Sequence, residues 1–380
     1  MIALYIIALF SLIIGIGGVF TLIEKFPLKL LYYHYHFRKP ILWSILIGSL
    51  TWQIVSTKGN IPLTSIPPLV LIGLATLITY KAHQSNWFKA VYFPRMTTEI
   101  ATLPIPDESE IAIINYQGIT KAYPLNYVIH HHIVNDQFKD KTISLTYCAM
   151  CRSIIPFDVT DIGPLFVASF KNANMIVADK KTGTFFQQAT FNSVVGKLHP
   201  HSLSMISFQI LPWKVVKNMT PIPSVAEVKK SDFRAFNLPI PGLWKKVSTS
   251  ELTPGLSNKN TTYPSKTHII GLYDYGVLYL KSEIPLNSFL VNKELHFSLI
   301  KIGSTVSGYK NELNNQVLDF HFNEQGHIED LKTGTIWDLT GKHIKGEIIY
   351  DLIKINLSDE YWFSWKKFHP NSKLIKTTRH

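Results

Sequence analysis

The two cysteines of this 380-residue chain, Cys148 and Cys151, lie three positions apart in the segment from Thr146 to Ser153. Any thiol chemistry of this protein must therefore take place at this motif. Two sulfurs at this spacing can form a disulfide with each other or bind one soft metal ion together, because a short turn brings both side chains to the same point. The motif marks the candidate functional site but does not decide between these reactions.

In a redox site, we expect Cys148 to be the nucleophile that attacks a partner disulfide or a peroxide, and Cys151 to resolve the mixed intermediate. The positive charge of Arg152, next to Cys151, is expected to favour the thiolate. Because extended segments are predicted on both sides of the motif, we do not expect a helix dipole to contribute. Such a site implies an activity like that of a thiol-disulfide oxidoreductase and a redox-partner protein.

In a metal site, Cys148 and Cys151 supply two soft ligands, His131 could supply a third, and Met150 inside the loop would suit copper(I). A metal-donor protein is then the implied partner. Zinc fits less well, because a closed structural zinc site needs four ligands and the chain has no second CxxC motif. The remaining zinc ligands would have to come from His130, His132, His199 or His201.

A third alternative is a non-catalytic, membrane-associated scaffold in which both thiols are buried in a β core, since cysteine is among the most frequently buried residue types. His131 would then form only local hydrogen bonds, because it lies on a helix predicted over residues 125–134. His130 and His132 point elsewhere on such a helix and are expected at the surface.

The elements that carry the motif follow an apolar N-terminal region. Hydrophobic residues make up 46% of the chain, and the mean hydropathy of +0.10 is high for a soluble protein. Residues 1–23 carry no charge and are long enough to cross a bilayer, and two shorter apolar runs follow at 41–55 and 67–80. We therefore predict that residues 1–82 anchor the chain in the lipid bilayer with three transmembrane α-helices.

The distribution of charge predicts how the chain is oriented in the membrane and which kinds of partner it binds. The loop between the first two apolar runs holds four basic residues and the next loop holds only Lys58, so the positive-inside rule places the region after the third run in the cytoplasm. The net charge of +12 forms no dense basic stripe, and no nucleic acid partner is expected. The basic surplus suits anionic lipid headgroups near the anchor.

After about residue 104, short runs rich in Ile, Val, Tyr and Phe alternate with turn residues, which predicts a mainly β (α+β) soluble region. Lys-Thr-Gly-Thr occurs at 181–184 and again at 332–335, and Trp-Lys at 213–214 recurs at 365–366. These ordered parallels predict two degenerate repeats, of which only the first contains cysteine. The predicted domains are a first β repeat at 104–230, a linker or long loop at 231–267, and a second β repeat at 268–376.

Four segments have an order and spacing that are hard to obtain by chance. They are Ala-Tyr-Pro-Leu at 122–125, His-His-His-Ile-Val-Asn-Asp at 130–136, Thr-Tyr-Cys-Ala-Met-Cys-Arg-Ser at 146–153, and the segment 174–186, which contains Asp-Lys-Lys-Thr-Gly. In these segments residues 105–376 resemble the DUF3179 family, whose pattern includes A-Y-P-L, W-H-E-I-V-N-D and T-Y-C-P-L-C-G. The family has no settled biochemical activity.

The resemblance implies that His131 corresponds to the histidine of the family pattern. Some family members resemble selenoproteins at the cysteine motif, which favours redox or soft-metal chemistry. Members are commonly exported, which implies an extracytoplasmic soluble region in an integral protein of a bacterial-type cytoplasmic membrane, against the charge count. This chain has Ala149, Met150 and Arg152 where the pattern has Pro, Leu and Gly.

Overall fold

The computed structural model describes residues 2–228, 250–257, 259–313 and 315–377. The chain forms two compact units, the first made of Met1–Ala90, Leu165–Leu203 and Thr253–Asn258, and the second of Val91–Pro164, Ser204–Leu252 and Lys259–His380. The first unit thus combines the N-terminal helices with a segment of the β-rich region. Residues 231–249 of the predicted linker lie outside the described residues, and the predicted domain boundaries stay a prediction.

Three helices form the N-terminal region: α1 (Ile2–Ile16), which a 3-10 segment continues over Gly17–Leu22, α2 (Leu28–Ser56) and α3 (Ile66–Lys81). Within the described residues, two stretches are long and apolar enough to cross a membrane, Ile2–Leu22 and Leu63–Lys81. Two of the three predicted transmembrane helices therefore meet this criterion. The third was predicted in α2, which does not qualify by composition, because Lys29, Arg38 and Lys39 lie among its first twelve residues.

The helices α1 and α3 pack closely side by side. A Cβ atom on Gly15 would lie 2.8 Å from the carbonyl oxygen of Ala75, so only glycine permits this approach. Outward-facing apolar side chains such as Leu9 and Leu77 are more than half exposed. Lipid accommodates such a surface better than water does.

The rest of the described chain consists mainly of strands, which confirms the prediction of a mainly β region. The first strands are β1 (Val91–Tyr92), β2 (Met96–Thr97), β3 (Glu110–Tyr116), β4 (Ile119–Pro124), β5 (Ile133–Phe138), β6 (Lys141–Cys148), β7 (Ser153–Asp158), β8 (Leu165–Lys171), β9 (Asn174–Asp179), β10 (Phe185–Gln187), β11 (Ser193–Val195), β12 (Ser204–Met205), β13 (Phe208–Pro212) and β14 (Ser224–Ala226). The later strands are β15 (His268–Leu272), β16 (Val277–Leu280), β17 (Phe289–Asn292), β18 (Phe297–Ile302), β19 (Thr305–Lys310), β20 (Glu312–Leu313), β21 (Gln316–Val317), β22 (Phe320–Phe322), β23 (Ile328–Asp330), β24 (Ile336–Trp337), β25 (His343–Lys345), β26 (Leu357–Tyr361) and β27 (Lys373–Leu374). Three short helices accompany them: α4 (Leu125–His131), α5 (Trp213–Val216) and α6 (Trp362–Phe368).

In the first unit, β8 to β11 form a four-stranded sheet on which the first third of α2 packs. The rings of Tyr32 and Tyr35 lie with their centroids 5.1 and 5.5 Å from that of Phe185 on β10. Because the beginning of α2 buries these aromatic rings against the sheet, its other faces can carry polar residues.

In the second unit, the strands that carry the cysteine motif belong to the sheet β1-β5-β6-β7-β12. Val128 of α4, Phe138 of β5 and Leu145 of β6 lie in the hydrophobic core between this sheet and β3 and β4. β7 is buried on both faces and is continuously apolar from Ile154 to Phe157, whereas β6 also buries Ser144 and Thr146, whose hydroxyls donate to the side chain of Asn135 and the carbonyl of Ile155.

Two other sheets of the second unit have the same strand arrangement. In one, β13 is antiparallel to β3, β3 is antiparallel to β4, and β4 is parallel to β14. In the other, β26, β15, β16 and β27 have these relations in the same order. In each sheet the first-named strand continues directly into a helix that begins with tryptophan, at Trp213 and Trp362.

The two Lys-Thr-Gly-Thr segments form the same turn. The hydroxyl of Thr182 donates a hydrogen bond to Asp179, and that of Thr333 donates one to Asp330, both at 2.8 Å. The glycine after each threonine has a positive φ, of 70° and 63°, and its amide donates to the backbone carbonyl of the same aspartate. Glycine is required there because other residues are strained at such angles.

The helix predicted over residues 125–134 is shorter than expected. It ends at His131, because His132 has a φ of +61° and the β-branched pair Ile133 and Val134 begins β5. His130 and His132 are buried, at 8% and 5% exposure, so their predicted surface position is wrong. Burial lowers the pKa of His132 to about 3, and this side chain is therefore neutral at physiological pH.

Candidate functional site

The two cysteines lie at the end of the hairpin formed by β6 and β7. Cys148 ends β6 and pairs with Ser153, the first residue of β7, and the amide of Cys151 donates a hydrogen bond to the carbonyl of Cys148 at 3.1 Å. This turn brings the two Sγ atoms to 3.0 Å from each other. Both cysteines are thiols and are 1% and 0% exposed. A disulfide needs an S–S distance of about 2.0 Å, so a small movement of the loop would join them.

The guanidinium of Arg152 is held by two carboxylates. Its Nη2 donates to both oxygens of Glu110, at 3.0 and 3.1 Å, and lies 3.5 Å from Oδ2 of Asp359. Burial alone would lower the pKa of Arg152, but Asp359 and Glu110 raise it above its ordinary value. Glu110 also accepts a hydrogen bond from the hydroxyl of Ser304 at 2.8 Å. These contacts fix the loop, and a direct role of Arg152 at the thiolate stays a prediction.

The backbone of Arg152 is itself unusual. Its φ of +64° lies in the left-handed region, which favours glycine. A residue with a side chain adopts this conformation only at some cost in strain. The ion pairs of its side chain compensate for that strain.

Asp359 on β26 lies close to other basic side chains besides Arg152. It accepts a hydrogen bond from the ammonium of Lys281 and lies 3.9 Å from Nδ1 of His268. Burial alone would raise the pKa of Asp359, but Arg152, His268 and Lys281 lower the pKa to about 2. A charged carboxylate from the second half of the chain is therefore part of the support of the cysteine loop.

Lys266 also contacts this loop. Its Nζ donates a hydrogen bond to the carbonyl oxygen of Met150 at 3.0 Å and lies 4.7 and 4.8 Å from the ring centroids of Tyr361 and Phe363. Burial lowers the pKa of Lys266, and attraction to the charges of the two cysteines opposes that shift. The same attraction favours the thiolate form of a cysteine.

Glu360 is a buried carboxyl group beside the loop. It is 2% exposed and accepts a hydrogen bond from the hydroxyl of Ser364 at 2.8 Å. The amide of the next residue, Tyr361, donates to the carbonyl of Cys151 at 2.9 Å, which holds β26 against the loop. Burial, and then the charge of Cys151, raise the pKa of Glu360 well above its ordinary value. This carboxyl therefore keeps its proton to a higher pH than an exposed glutamate does.

The two predicted cysteine ligands meet, but no third His, Asp or Glu ligand joins them in the described part of the chain. Among the described residues, no three side chains of His, Cys, Asp or Glu are arranged to hold a metal ion. The ring of His131 packs instead on those of Tyr127 and His130, with centroids 4.8 and 4.6 Å apart. The half-buried Met150 contributes its carbonyl oxygen to Lys266. Copper ligation by His131 and Met150 stays a prediction.

A cavity of about 340 Å³ lies beside Glu110. Its lining is mostly apolar and includes Pro104, Pro124, Leu125 and Ile129. Because Glu110 binds Arg152, one ion pair separates this cavity from the cysteine loop. The volume suits a small apolar molecule or one side chain of a partner protein.

The fold and the site together define a mainly β protein with apolar N-terminal helices and a buried, charge-supported dithiol. The chain belongs to the DUF3179 family, described as "Protein of unknown function (DUF3179)", whose model matches residues 88–372. The resemblance seen in the four sequence segments is thus confirmed. No curated protein and no solved structure matches this chain. Because the family has no assigned activity, the function has to be argued from the site.

The groups that surround the cysteines come from distant parts of the chain. They are Glu110, Lys266, Asp359 and Glu360. Single charged residues on short strands have no spacing that marks them in a sequence. The available signal was the parallel between Trp-Lys at 213–214 and at 365–366, which drew attention to the region after β26 but names no side chain.

Proposed function

We propose that this chain is a membrane-anchored thiol redox protein, in which Cys148 and Cys151 cycle between a dithiol and a disulfide in exchange with a redox-partner protein. The observation that carries the proposal is the distance of 3.0 Å between the two Sγ atoms on one hairpin turn. The charged groups around the loop also support it. A pair of thiols buried only for packing requires neither a lysine nor a carboxyl group beside it.

Lys266 supplies the charge that a buried thiolate needs. Burial by itself disfavours the thiolate and so raises the pKa of a cysteine. No helix begins at the motif, so the usual contribution of a helix N-terminus is absent from this part of the described chain. An ammonium group bound to the loop at Met150 replaces it.

The exchange reaction has two steps. The thiolate of Cys148 attacks a disulfide of the partner, whose S–S bond breaks, and one partner sulfur leaves as a thiolate and takes a proton from solvent. The carboxyl of Glu360 then loses its proton to solvent, and the resulting carboxylate takes the proton of Cys151, whose sulfur attacks the sulfur of Cys148. This step forms the internal disulfide and releases the second partner sulfur, which is also protonated. Two electrons pass from the cysteine pair to the partner.

The reverse reaction uses the same groups. A thiolate of a reduced partner attacks Cys148, the internal S–S bond breaks, the sulfur of Cys151 takes a proton from the carboxyl of Glu360, and Glu360 is reprotonated from solvent. The second thiol of the partner then displaces Cys148 and completes the transfer. Because Glu360 holds its proton at a raised pKa, it is suited to this donation.

The experiment that tests the proposal is equilibration of the full-length protein in detergent with glutathione buffers of different redox potential. We expect intact-mass measurement to show the loss of two hydrogen atoms in the oxidised form, and alkylation to fall from two sites to none. In the variants Cys148→Ser and Cys151→Ser, a mixed disulfide with glutathione should replace the internal one. The double variant has no cysteine and is the control. A native pair that stays reduced in oxidised glutathione would exclude the redox function.

We further propose that the region after α3 lies in the cytoplasm. The end of α1, the beginning of α2 and the end of α3 meet, as shown by the hydrogen bonds from His34 to Ile14 and from Gln84 to Gly18. The basic residues of all three ends therefore lie at one side of the membrane and Lys58 at the other, so in this proposal α2 also crosses the membrane. The positive-inside rule favours the cytoplasm for the more basic side. In that compartment the cysteine pair would be reduced at rest.

The β-rich region is proposed to derive from a duplication. Two observations support this: the shared order and direction of strands in the sheets around β3 and β15, and the identical hydrogen bonds of the turns at Asp179 and Asp330. In the second copy, the hairpin of β18 and β19 turns over Gly303 and Ser304 alone, whereas four residues connect β6 to β7. On this interpretation, the cysteine loop is an enlarged turn of one copy.

A further inference from the structure

We propose that Arg38 and the polar residues around it form a binding site for an oxyanion, and that the phosphate group of an anionic lipid is its ligand. The proposal does not depend on the thiol chemistry, because the site lies in the helical part of the first unit. It uses only the proposed anchoring of the chain in a membrane.

Arg38 lies in a polar cluster formed by three segments: the 3-10 segment after α1, the first third of α2, and the residues that follow α3. The side chain of Gln84 donates a hydrogen bond to the carbonyl of Gly18 at 2.7 Å. The rings of His34 and His83 stack with their centroids 5.5 Å apart. These contacts fasten three helix ends around one guanidinium group.

The guanidinium of Arg38 is only 2% exposed, and no carboxylate of the described residues pairs with it. Its Nη1 donates to the carbonyl of Tyr35 and its Nη2 lies 3.5 Å from the hydroxyl of Ser85, whereas its Nε has no hydrogen-bond partner. Glu24, the single acidic residue among the first 98, accepts hydrogen bonds from Ser257. A buried charge without a counter-charge is strongly unfavourable, and an oxyanion supplies both the charge and the acceptor.

Two histidine rings beside Arg38 are kept neutral, and one further cation, Lys39, lies near them. Burial, and then the charges of Arg38, His34 and Lys39, lower the pKa of His83 to about 2. Lys39 lies over the ring of Tyr80 at 4.5 Å, and its charge, like that of Arg38, acts on His83. One bound anion would offset the repulsion between these two cations. The planar fork of an arginine suits phosphate better than the single ammonium of a lysine does.

The position of the cluster favours a lipid as the source of the phosphate. Both candidate spans, Ile2–Leu22 and Leu63–Lys81, end at this cluster. The ends of membrane-spanning helices lie at the level of the headgroups, and basic pockets between such helices on the cytoplasmic side bind anionic headgroups. Free phosphate has the same chemistry, so the experiment has to separate the two sources.

The test uses the full-length protein in a neutral detergent without phosphate. The probes are phosphatidylglycerol, the net-neutral phosphatidylcholine, and inorganic phosphate, and the readouts are the midpoint of thermal unfolding and native mass spectrometry. We expect phosphatidylglycerol to raise the midpoint by several degrees and to remain bound in the mass spectrum, whereas phosphatidylcholine does neither. Arg38→Gln should lose both effects. Lys58→Gln, which removes one charge from the exposed loop between α2 and α3, should retain them.

The remaining outcomes are equally decisive. An effect of inorganic phosphate alone that Arg38→Gln abolishes would support the oxyanion site and assign it to a free ion. An equal response of the native protein, Arg38→Gln and Lys58→Gln, or no response to any anionic probe, would overturn the proposal. If Arg38→Gln does not fold, Arg38→Lys keeps the charge and loses the fork, and it should bind phosphatidylglycerol several-fold more weakly.

Discussion

The ammonium of Lys266 is hydrogen-bonded to the carbonyl of Met150 at 3.0 Å, across a separation of 116 positions in the chain. A cation that precedes β15 thereby sits on the loop between β6 and β7. This contact, together with the hydrogen bond from the amide of Tyr361 to the carbonyl of Cys151, means that residues of the second half of the chain hold the cysteine loop.

Lys266→Met removes the charge and keeps the length of the side chain. We expect the pKa of the reactive thiol to rise by about one unit, because the thiolate loses its counter-charge, and the rate of alkylation at neutral pH to fall about tenfold. The rate with iodoacetamide as a function of pH, followed by mass spectrometry, measures both quantities. Lys293→Met, at an exposed lysine, is the matched control. Superimposable profiles of Lys266→Met and the native protein would show that Lys266 does not act on the thiols.

Glu110→Gln weakens the ion pair that holds the cysteine loop. Because the guanidinium of Arg152 is largely buried, we expect the variant to be destabilised by about 1–3 kcal/mol. Glu108→Gln is the control two positions away: its carboxylate pairs with Lys214 but is 66% exposed, so the change should stay within about 0.5 kcal/mol. The shift in the thermal unfolding midpoint measures the difference. Equal shifts would mean that the Glu110 ion pair contributes no more than a surface pair.

Glu360→Gln tests the buried carboxyl through the pH dependence of stability. The pKa of Glu360 is raised in the folded protein, so its contribution to stability is complete below the unfolded value of 4.5 and is lost as the pH rises through the folded value. The variant cannot ionise, so we expect it to unfold at a higher temperature than the native protein at about pH 8 and at a similar temperature at about pH 4. A difference that does not change with pH would contradict the shift.

Asp359→Asn should show the opposite dependence. The pKa of Asp359 falls from 3.8 to about 2 on folding, so its contribution is complete above 3.8 and is lost as the pH falls towards 2. We expect the variant to be less stable than the native protein at neutral pH, and the two unfolding midpoints to converge as the pH approaches 2. Parallel curves over this range would show that Asp359 is not paired in the folded protein.

A reporter fused after Arg95 tests the proposed orientation. Since the basic helix ends favour the cytoplasm, a fluorescent protein at this position should be bright and alkaline phosphatase should be inactive. The same pair of reporters after Lys58 should give the reverse result. Active phosphatase after Arg95 would place the cysteine pair outside the cytoplasm, as the frequent export of family members implies.

The glycines Gly196 and Gly346 test the proposed duplication. Both have a strongly positive φ, of 127° and 121°, and an added Cβ would lie 2.6 and 2.5 Å from the Cα of Thr184 and Thr335. We therefore expect Gly196→Ala and Gly346→Ala to lower the unfolding midpoint by similar amounts. Gly326→Ala, where the φ is positive but the space is open, should cost clearly less. Unequal effects at the two equivalent positions would argue against a shared turn.

The sequence alone determined those features that depend on neighbouring residues. The cysteine pair on a turn, the family motifs and the mainly β character follow from spacings of a few positions, and the structure and the family match agree with them. The two Lys-Thr-Gly-Thr turns also belong here, because each is closed by its own aspartate and glycine.

Expectations that depended on the surroundings of a side chain were less successful. The first third of α2 was expected outside the membrane and the rest inside it, but the helix runs through both parts without a break. His130 and His132 were expected on the surface and are covered by protein. In each case the local pattern predicted the character of the segment, but the sequence did not show which other parts of the chain pack against it.

Only the tertiary structure decided what the two cysteines touch. Arg152 is adjacent to Cys151 in the sequence, yet its guanidinium binds Glu110 and Asp359, while the loop receives the ammonium of Lys266. The reason is physical: the approach of β26 to β7 brings these charges together, and the pairing of distant strands is set by the packing of whole sheets rather than by any local spacing.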